Sequence, residues 1–320
     1  MKIAILDDYQ GVALGLADWN GLGARVSVFR DTIAGDRDAL IERLRPFEVL
    51  CIMRERTPFP AALINALPNL RLIVTTGKRN LSIDLDAARA RGIIVCGTQS
   101  RGPSTAQHAM SLILAATRGL VAETISMREG GWQSGLGRDL DGLTLGLVGL
   151  GRLGAQVAAL ARPFGMEITS WSENLTDGRC KEIGVQRAPS LQALLDEADV
   201  ISIHLVLSER TRGLIGAKAI SEMKQDAVLV NTSRGPIVDA AAVLAALRTG
   251  RLGAAALDVY DAEPLAADDP IRDRALIDAG RLILTPHIGY VSRQTYEIFY
   301  RETVEAITAW QAGAPIRELT

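Results

Sequence analysis

The chain is poor in the residues that staple or anchor proteins. Of its 320 residues only three are cysteine and three are histidine, and aromatics make up 4 %. Cys51, Cys96 and Cys180 lie far apart and form no CxxC pair. Such an odd, scattered set excludes a disulfide framework and reads as buried, reduced thiols of a reducing compartment. No histidine neighbours a cysteine, so structural zinc is excluded and no metal is expected. Long apolar runs are missing too, and Ile3–Leu6 is the whole apolar stretch before Asp7 and Asp8. That is a first strand rather than a leader or an anchor, so the expectation is a cytoplasmic protein with no membrane partner. Neither sign of charge dominates, with 35 basic against 37 acidic residues and a net charge of −2. This excludes a general polyanion binder, and no nucleic acid is expected as a partner.

What is present is a rhythm. Hydrophobic residues make up 48 % and charged residues 22 %, ordinary for a folded chain whose length suits two domains. Up to residue 98, compact Ile/Val/Leu runs (3–6, 25–29, 49–52, 72–75, 93–95) alternate with helical patterns such as DRDALIERL and DLDAARARG. That alternation predicts a parallel sheet with helices on both faces. It breaks at STAQHAMSLILAATRGL, where Ser104 is placed to cap one long apolar helix. The apolar face of this helix suits either a subunit interface or burial within its own domain. The polar, glycine-rich REGGWQSGLGRDLDG (128–142) is the candidate boundary region. A second series, TLGLV, MEITSW, VISIH, AVLVN, GAAAL and LILT, then runs to His287, and a final amphipathic helix, 293–313, could fold back on the first domain. One α/β domain inserted within another is the arrangement this order implies, with residues 1–99 and 288–320 forming the outer domain and 100–287 the inner one. The cleft between two such domains is where a site is expected.

Gly149, Gly151 and Gly154 form GxGxxG between an apolar strand and an alanine-rich helix. The first glycine permits the turn, the second lets backbone approach a pyrophosphate, and the third allows close helix packing. An acid about 20 residues on usually bonds the adenosine ribose. Here that place falls on Ser172, with Glu173 one step later. Successive strand side chains alternate faces, so Glu173 is either a ribose ligand or a solvated loop acid. NAD is the first expectation and NADP the rival, because serine removes the usual repulsion of a 2′-phosphate.

Arg234, Glu263 and His287 each follow the C-terminal end of a predicted parallel strand, where open α/β sheets place their chemistry. Arginine offers a forked cation for a carboxylate, histidine a proton near neutral pH, and a neighbouring carboxylate fixes the histidine tautomer. Together they suit reduction of a carbonyl beside a carboxylate. Any one alone reads equally as a surface charge or a loop residue.

With GLTLGLVGLGRLG, VLVNTSRGPIVD, AALDVYDAEPL and LTPHIGYVS in this order, preceded by TGKRNLSIDLDAARARGIIV, the chain resembles the D-2-hydroxy-acid dehydrogenase family along nearly its whole length. That family includes phosphoglycerate dehydrogenases and glyoxylate or hydroxypyruvate reductases. The resemblance implies an α/β fold of two doubly wound parallel-sheet domains, a Rossmann NAD(P) domain inserted into a flavodoxin-like substrate domain, assembled as a homodimer. It implies His287 as proton donor in reduction, Glu263 as its partner and Arg234 as the carboxylate grip. Thr105, Arg152, Leu153, His204, Thr211, Thr232 and Asp258 fall on cofactor-contacting positions, Asp258 on the one that bonds the nicotinamide amide. Gly77, Lys78 and Arg79 fall on the substrate loop, and Arg54 on a position that can reach the far end of the substrate. For Arg54 the competing reading is an ion pair with Glu55 or Glu42. The basic Lys78–Arg79 pair suggests a substrate with a second anionic group. Ser172, Gln107 and Val206 depart from the family's common aspartate, glutamate and proline. Two other functions share this architecture: a nucleotide-sensing corepressor, and a dehydrogenase of the formate or phosphite type.

Overall fold

The computed structural model describes all 320 residues. The chain divides into two compact units, Met1–Arg101 with Val291–Thr320, and Gly102–Tyr290.

The first unit holds β1 (Lys2–Ile5), β2 (Arg25–Val28), β3 (Val49–Ile52), β4 (Leu72–Thr75) and β5 (Ile94–Gly97). They lie in the order β2-β1-β3-β4-β5, all parallel, the flavodoxin-like arrangement. Every residue of β3 and β4 is buried, which is why both read as unbroken apolar runs rather than alternating ones. Asp36 and Asp84 start the intervening helices, each accepting the backbone N–H three residues on at 2.9 Å. The last helix, Arg293–Gln311, belongs to this unit, with Ser292 as its cap and Tyr296, Phe299 and Tyr300 buried. The tail beyond it returns beside β5, where the Leu319 N–H donates to the Val95 carbonyl at 2.7 Å.

The second unit holds β6 (Thr144–Val148), β7 (Glu167–Trp171), β8 (Gln186–Arg187), β9 (Val200–Ile203), β10 (Val228–Asn231), β11 (Ala254–Leu257) and β12 (Leu282–Leu284). The order is β12-β11-β10-β9-β6-β7-β8, again parallel throughout. Strand order reverses between β6 and β9, the topological switch point of a Rossmann sheet, where ligands bind beyond the carboxyl ends of the strands.

Three expectations need correction. Ser104 is the first helical residue rather than the cap, with Pro103 in the cap position. The helix does not run on to residue 120: it ends at Thr117, and after Gly119, in the left-handed region at φ +62°, a second helix (Leu120–Arg128) leaves at 64°. The apolar face of the first helix is buried within its own unit, through Ala106, Ala109, Met110, Leu112 and Ile113. The stretch 128–142 lies inside the second unit rather than at a boundary. There Glu123 gathers the N–H groups of Ser134 and Gly135, and Leu140 joins the core. All three cysteines are free and buried, as their spacing suggested. No single helix is long and apolar enough to cross a membrane.

Candidate active site

The turn after β6 is built around its glycines. Gly149 sits at φ +109°, and a Cβ there would come within 2.9 Å of the His204 carbonyl group. A Cβ on Gly154 would run into the Gly149 carbonyl oxygen, so the helix Arg152–Ala161 closes on the turn only because none is present. Gly151 is different: nothing lies within 4 Å of where its Cβ would be. It caps the helix without a side-chain bond, which leaves the first N–H groups to a ligand. A pocket of about 300 Å³ opens here, lined among others by Gly149, Gly151, Ser172, Arg179, His204 and Val206. Arg152 and Leu153 form the first helical turn but do not line it.

His204 follows β9. Its ring Nε2 lies 2.9 Å from the Ser202 hydroxyl, and burial pushes its pKa down to about 4. Its imidazole is therefore neutral at pH 7. Thr211 is occupied by its own turn: its hydroxyl donates to the Val206 carbonyl at 2.9 Å and accepts the Ser208 N–H at 2.8 Å. Thr232, beyond β10, is buried, and its hydroxyl has no hydrogen-bond partner.

The three adjacent strands β10, β11 and β12 deliver Arg234, Glu263 and His287 at their carboxyl ends. Glu263 Oε2 lies 2.6 Å from His287 Nδ1, while its Oε1 accepts the Tyr260 N–H at 3.0 Å. His287 adopts φ +53°, and its N–H donates to the Thr285 carbonyl at 2.9 Å. The Tyr290 ring meets the imidazole edge-on, centroids 5.7 Å apart. The carboxylate at Nδ1 fixes the orientation of the ring. Arg234 Nη1 donates to the Ser233 carbonyl at 2.8 Å, and the Arg234 carbonyl accepts from the Asn231 amide at 3.0 Å. Gly235 fixes the position of this loop, since a Cβ there would overlap the Tyr260 backbone.

Asp258, at the end of β11, is 1 % exposed. Its Oδ1 accepts from the Thr285 hydroxyl at 2.6 Å and the Ile288 N–H at 2.8 Å, and its Oδ2 from the Gly289 N–H at 2.9 Å. His108 Nε2 lies 3.2 Å from Oδ1. Burial works to raise this carboxyl, but the hydrogen bonds from His108 and Thr285 outweigh it and hold the pKa below the ordinary value. Thr105 joins the cluster, since a Cβ on Gly289 would lie 3.2 Å from its methyl group and 3.1 Å from Asp258 Oδ2. His108 and Thr285 were not among the residues expected from sequence. The signal for His108 is its place three residues after Thr105, on the same helix face.

In the first unit Arg54 follows β3 in the left-handed region, φ +52°, and its N–H donates to the Thr76 hydroxyl at 2.9 Å. Its guanidinium packs over Gly77, close enough to overlap a Cβ there. Gly77 is buried, its N–H bonded to the Thr98 hydroxyl at 2.8 Å, whereas Lys78 and Arg79 project into solvent. Arg54 and the 77–79 loop thus converge at the ends of β3 and β4.

The family model for the D-isomer specific 2-hydroxyacid dehydrogenase NAD-binding domain matches residues 110–289. A glyoxylate reductase of Korarchaeum cryptofilum is 35 % identical over 295 residues, covering 90 % of this chain and 87 % of the relative. A D-3-phosphoglycerate dehydrogenase of Archaeoglobus fulgidus is 33 % identical over 99 % of this chain, which spans 58 % of that longer relative. The crystal structure of a phosphoglycerate oxidoreductase from Vibrio cholerae superposes with a TM-score of 0.90 at 37 % identity, covering 98 % of this chain and 100 % of the other. These relatives are named for oxidoreductase activities, which favours the enzymatic reading over the corepressor-like one. The chain belongs to the D-isomer specific 2-hydroxyacid dehydrogenases, oxidoreductases that move a hydride between a nicotinamide cofactor and a small 2-hydroxy or 2-oxo acid.

Proposed function

We propose that the chain works as a 2-oxo-acid reductase, with the second unit as the dinucleotide-binding domain and the first as the substrate domain. The observation that carries this is the 2.6 Å contact of Glu263 with His287 Nδ1, a histidine and carboxylate paired at the strand ends for proton transfer. The residues present fit a nicotinamide dinucleotide: Gly151 faces open space where a pyrophosphate would lie, and the buried Thr232 hydroxyl awaits a partner. Thr105, Gly149, Arg152, Leu153, Gly154, His204 and Thr211 would shape the rest of its seat. Asp258 Oδ2, which takes a single bond, suits the nicotinamide amide. When bound, the reduced nicotinamide supplies the hydride.

The chain's own groups do the rest. Arg234 grips the substrate carboxylate and draws charge toward the carbonyl oxygen. His287 Nε2–H donates its proton to that oxygen as it becomes a hydroxyl, and the imidazole takes a proton back in the oxidative direction. Glu263 keeps the ring oriented. Arg54, Lys78 and Arg79 of the first unit supply cations for a second anionic group on the substrate, with the Gly77 backbone nearby. Reversing the charge of Lys78 and Arg79 would then weaken a dianionic 2-oxo acid about tenfold or more and leave glyoxylate little changed.

The exposed apolar side chains Leu120, Met127, Trp132 and Leu136 support a homodimer formed through 120–136; a Trp132→Ser/Leu136→Ser variant should then sediment as a monomer. Three buried free thiols fit a cytoplasmic location. The central test is initial-rate loss of reduced-nicotinamide absorbance against glyoxylate, hydroxypyruvate, pyruvate, phenylpyruvate and 2-oxoglutarate. Undiminished turnover in His287→Ala would sink the assignment.

A further inference from the structure

The pocket beside the glycine turn carries a second piece of information. In a sheet of this topology the residue ending the second strand meets the adenosine ribose, and a carboxylate there bonds both ribose hydroxyls while repelling a phosphate. Here β7 ends at Trp171, and Ser172 is the residue that lines the pocket. Glu173 is exposed and is not part of the wall. No carboxylate lines the pocket anywhere. Its polar side chains are Ser172, Asn174, Thr176, His204 and Arg179, and His204 is neutral at pH 7, so Arg179 is the one charge on the wall.

Arg179 is also held in place. Its Nε donates to the Leu150 carbonyl at 3.3 Å, and its backbone N–H is bonded to the Thr176 hydroxyl at 3.2 Å. Its Nη1 pairs with Glu182 at 2.8 Å. Glu182 is 64 % exposed, so this pair is screened by water and leaves most of the positive potential available to the pocket. None of these bonds uses Nη2. Ser172 and Asn174 face the same space with uncharged donors, on a turn closed by the Leu175 N–H to the Ser172 carbonyl at 3.0 Å.

We propose that this pocket selects NADP(H) over NAD(H), with Arg179 as the cation for the ribose 2′-phosphate and Ser172 as the neutral residue that admits it. The inference rests on reading the glycine turn as a nucleotide site. A phosphate monoester carries up to two negative charges at neutral pH, and a pre-positioned guanidinium is the side chain best matched to it. The carboxylate that would oppose it is turned out to solvent.

The test is calorimetric and needs no turnover. Wild-type protein is titrated with NADPH and NADH, and with 2′-phosphoadenosine 5′-phosphate and adenosine 5′-phosphate, which lack the nicotinamide. Each 2′-phosphorylated ligand should bind about 10- to 100-fold tighter than its partner, less so as salt rises. Arg179→Gln should bring the two members of each pair within about threefold, and Ser172→Asp should reverse the order. Thermal melts identify any variant that is unfolded, and the wild-type ratio stands without the variants. NADH binding as tightly as NADPH in the wild type overturns the selectivity while leaving the nucleotide site in place. If none of the four ligands binds, the nucleotide reading falls and this inference with it.

Discussion

Two groups of strand ends in the second unit are finished to different degrees. At β10, β11 and β12 the polar side chains already hold one another: Glu263 is shared between His287 and the Tyr260 backbone, and Asp258 between Thr285, His108 and two N–H groups. At β6 and β7 the polar surface is open, with Gly151 facing empty space and Ser172 and Arg179 on a pocket wall. Groups that act in a transition state gain by being fixed beforehand, because no reorganisation is then needed during the reaction. Groups that only bind can be left for the ligand to complete. Protein contacts organise the first cluster, whereas the second leaves its polar groups open, as the proposed nucleotide site requires.

Removing the proposed proton donor should break the comparison at its firm end. His287→Ala is expected to lower kcat by about 10²- to 10⁴-fold while the nucleotide dissociation constant moves less than about threefold. Initial rates and a binding titration on the same preparation check both halves. A collapse of nucleotide affinity along with kcat would mean the two groups of strand ends are one structural unit.

His204 gives the next largest effect, on stability. Its folded pKa of about 4 lies below the ordinary histidine value, so the unfolded chain binds the extra proton first. Stability is therefore full above about pH 6.5 and falls as pH drops toward 4, by up to about 3 kcal/mol. Urea midpoints measured from pH 7 to 4 should show this slope, and His204→Gln should flatten it. Because His204 lines the pocket proposed for the nucleotide, a bound nucleotide should also offset the loss by mass action. An unchanged slope in the variant would place the acid sensitivity elsewhere.

Arg234→Lys sharpens the firm end further. A lysine keeps the charge but loses the forked geometry, so KM for a 2-oxo acid should rise about 10- to 100-fold. Nucleotide affinity should stay level. Equal KM values would show that charge alone is used there.

The sequence made the sheets legible wherever a strand is buried on both faces, and β3, β4 and β6 coincide with the apolar runs 49–52, 72–75 and 144–148. It hid β8, since Gln186–Arg187 is a two-residue exposed strand with no apolar pattern. It hid the bend after Thr117 because Leu120 and Val121 continue the apolar pattern beyond Gly119. Arg234, Glu263 and His287 were legible as strand-end residues, and the pairing of Glu263 with His287 that the resemblance implied is the 2.6 Å contact found here; periodicity alone could not give it, because hydrogen bonds between separate loops leave no periodic trace. Glu173 shows the limit best. Alternation along β7 left two readings, and only the path of the chain after Trp171 puts Ser172 on the pocket and Glu173 in water. His108 was overlooked because a lone histidine in an apolar helix has no pattern of its own; its meaning comes from Asp258, 150 residues away in sequence.

The mildest probe asks how far the fixed cluster extends. Asp239 follows the Arg234 loop and caps the helix Ala240–Thr249, accepting the Ala242 N–H at 3.0 Å. It is exposed and belongs to neither group of strand ends. Asp239→Ala should cost about 1 kcal/mol, seen as a drop of about 2–4 °C in Tm. KM and kcat should hold, because the Arg234 loop is anchored independently by Gly235 against Tyr260 and by the Asn231 amide. If the lost cap raised KM several-fold at so small a cost in Tm, the order at β10 would depend on the helix behind it. The contrast between a self-sufficient edge at β10–β12 and an open edge at β6 and β7 would then have to be redrawn around the whole βα unit.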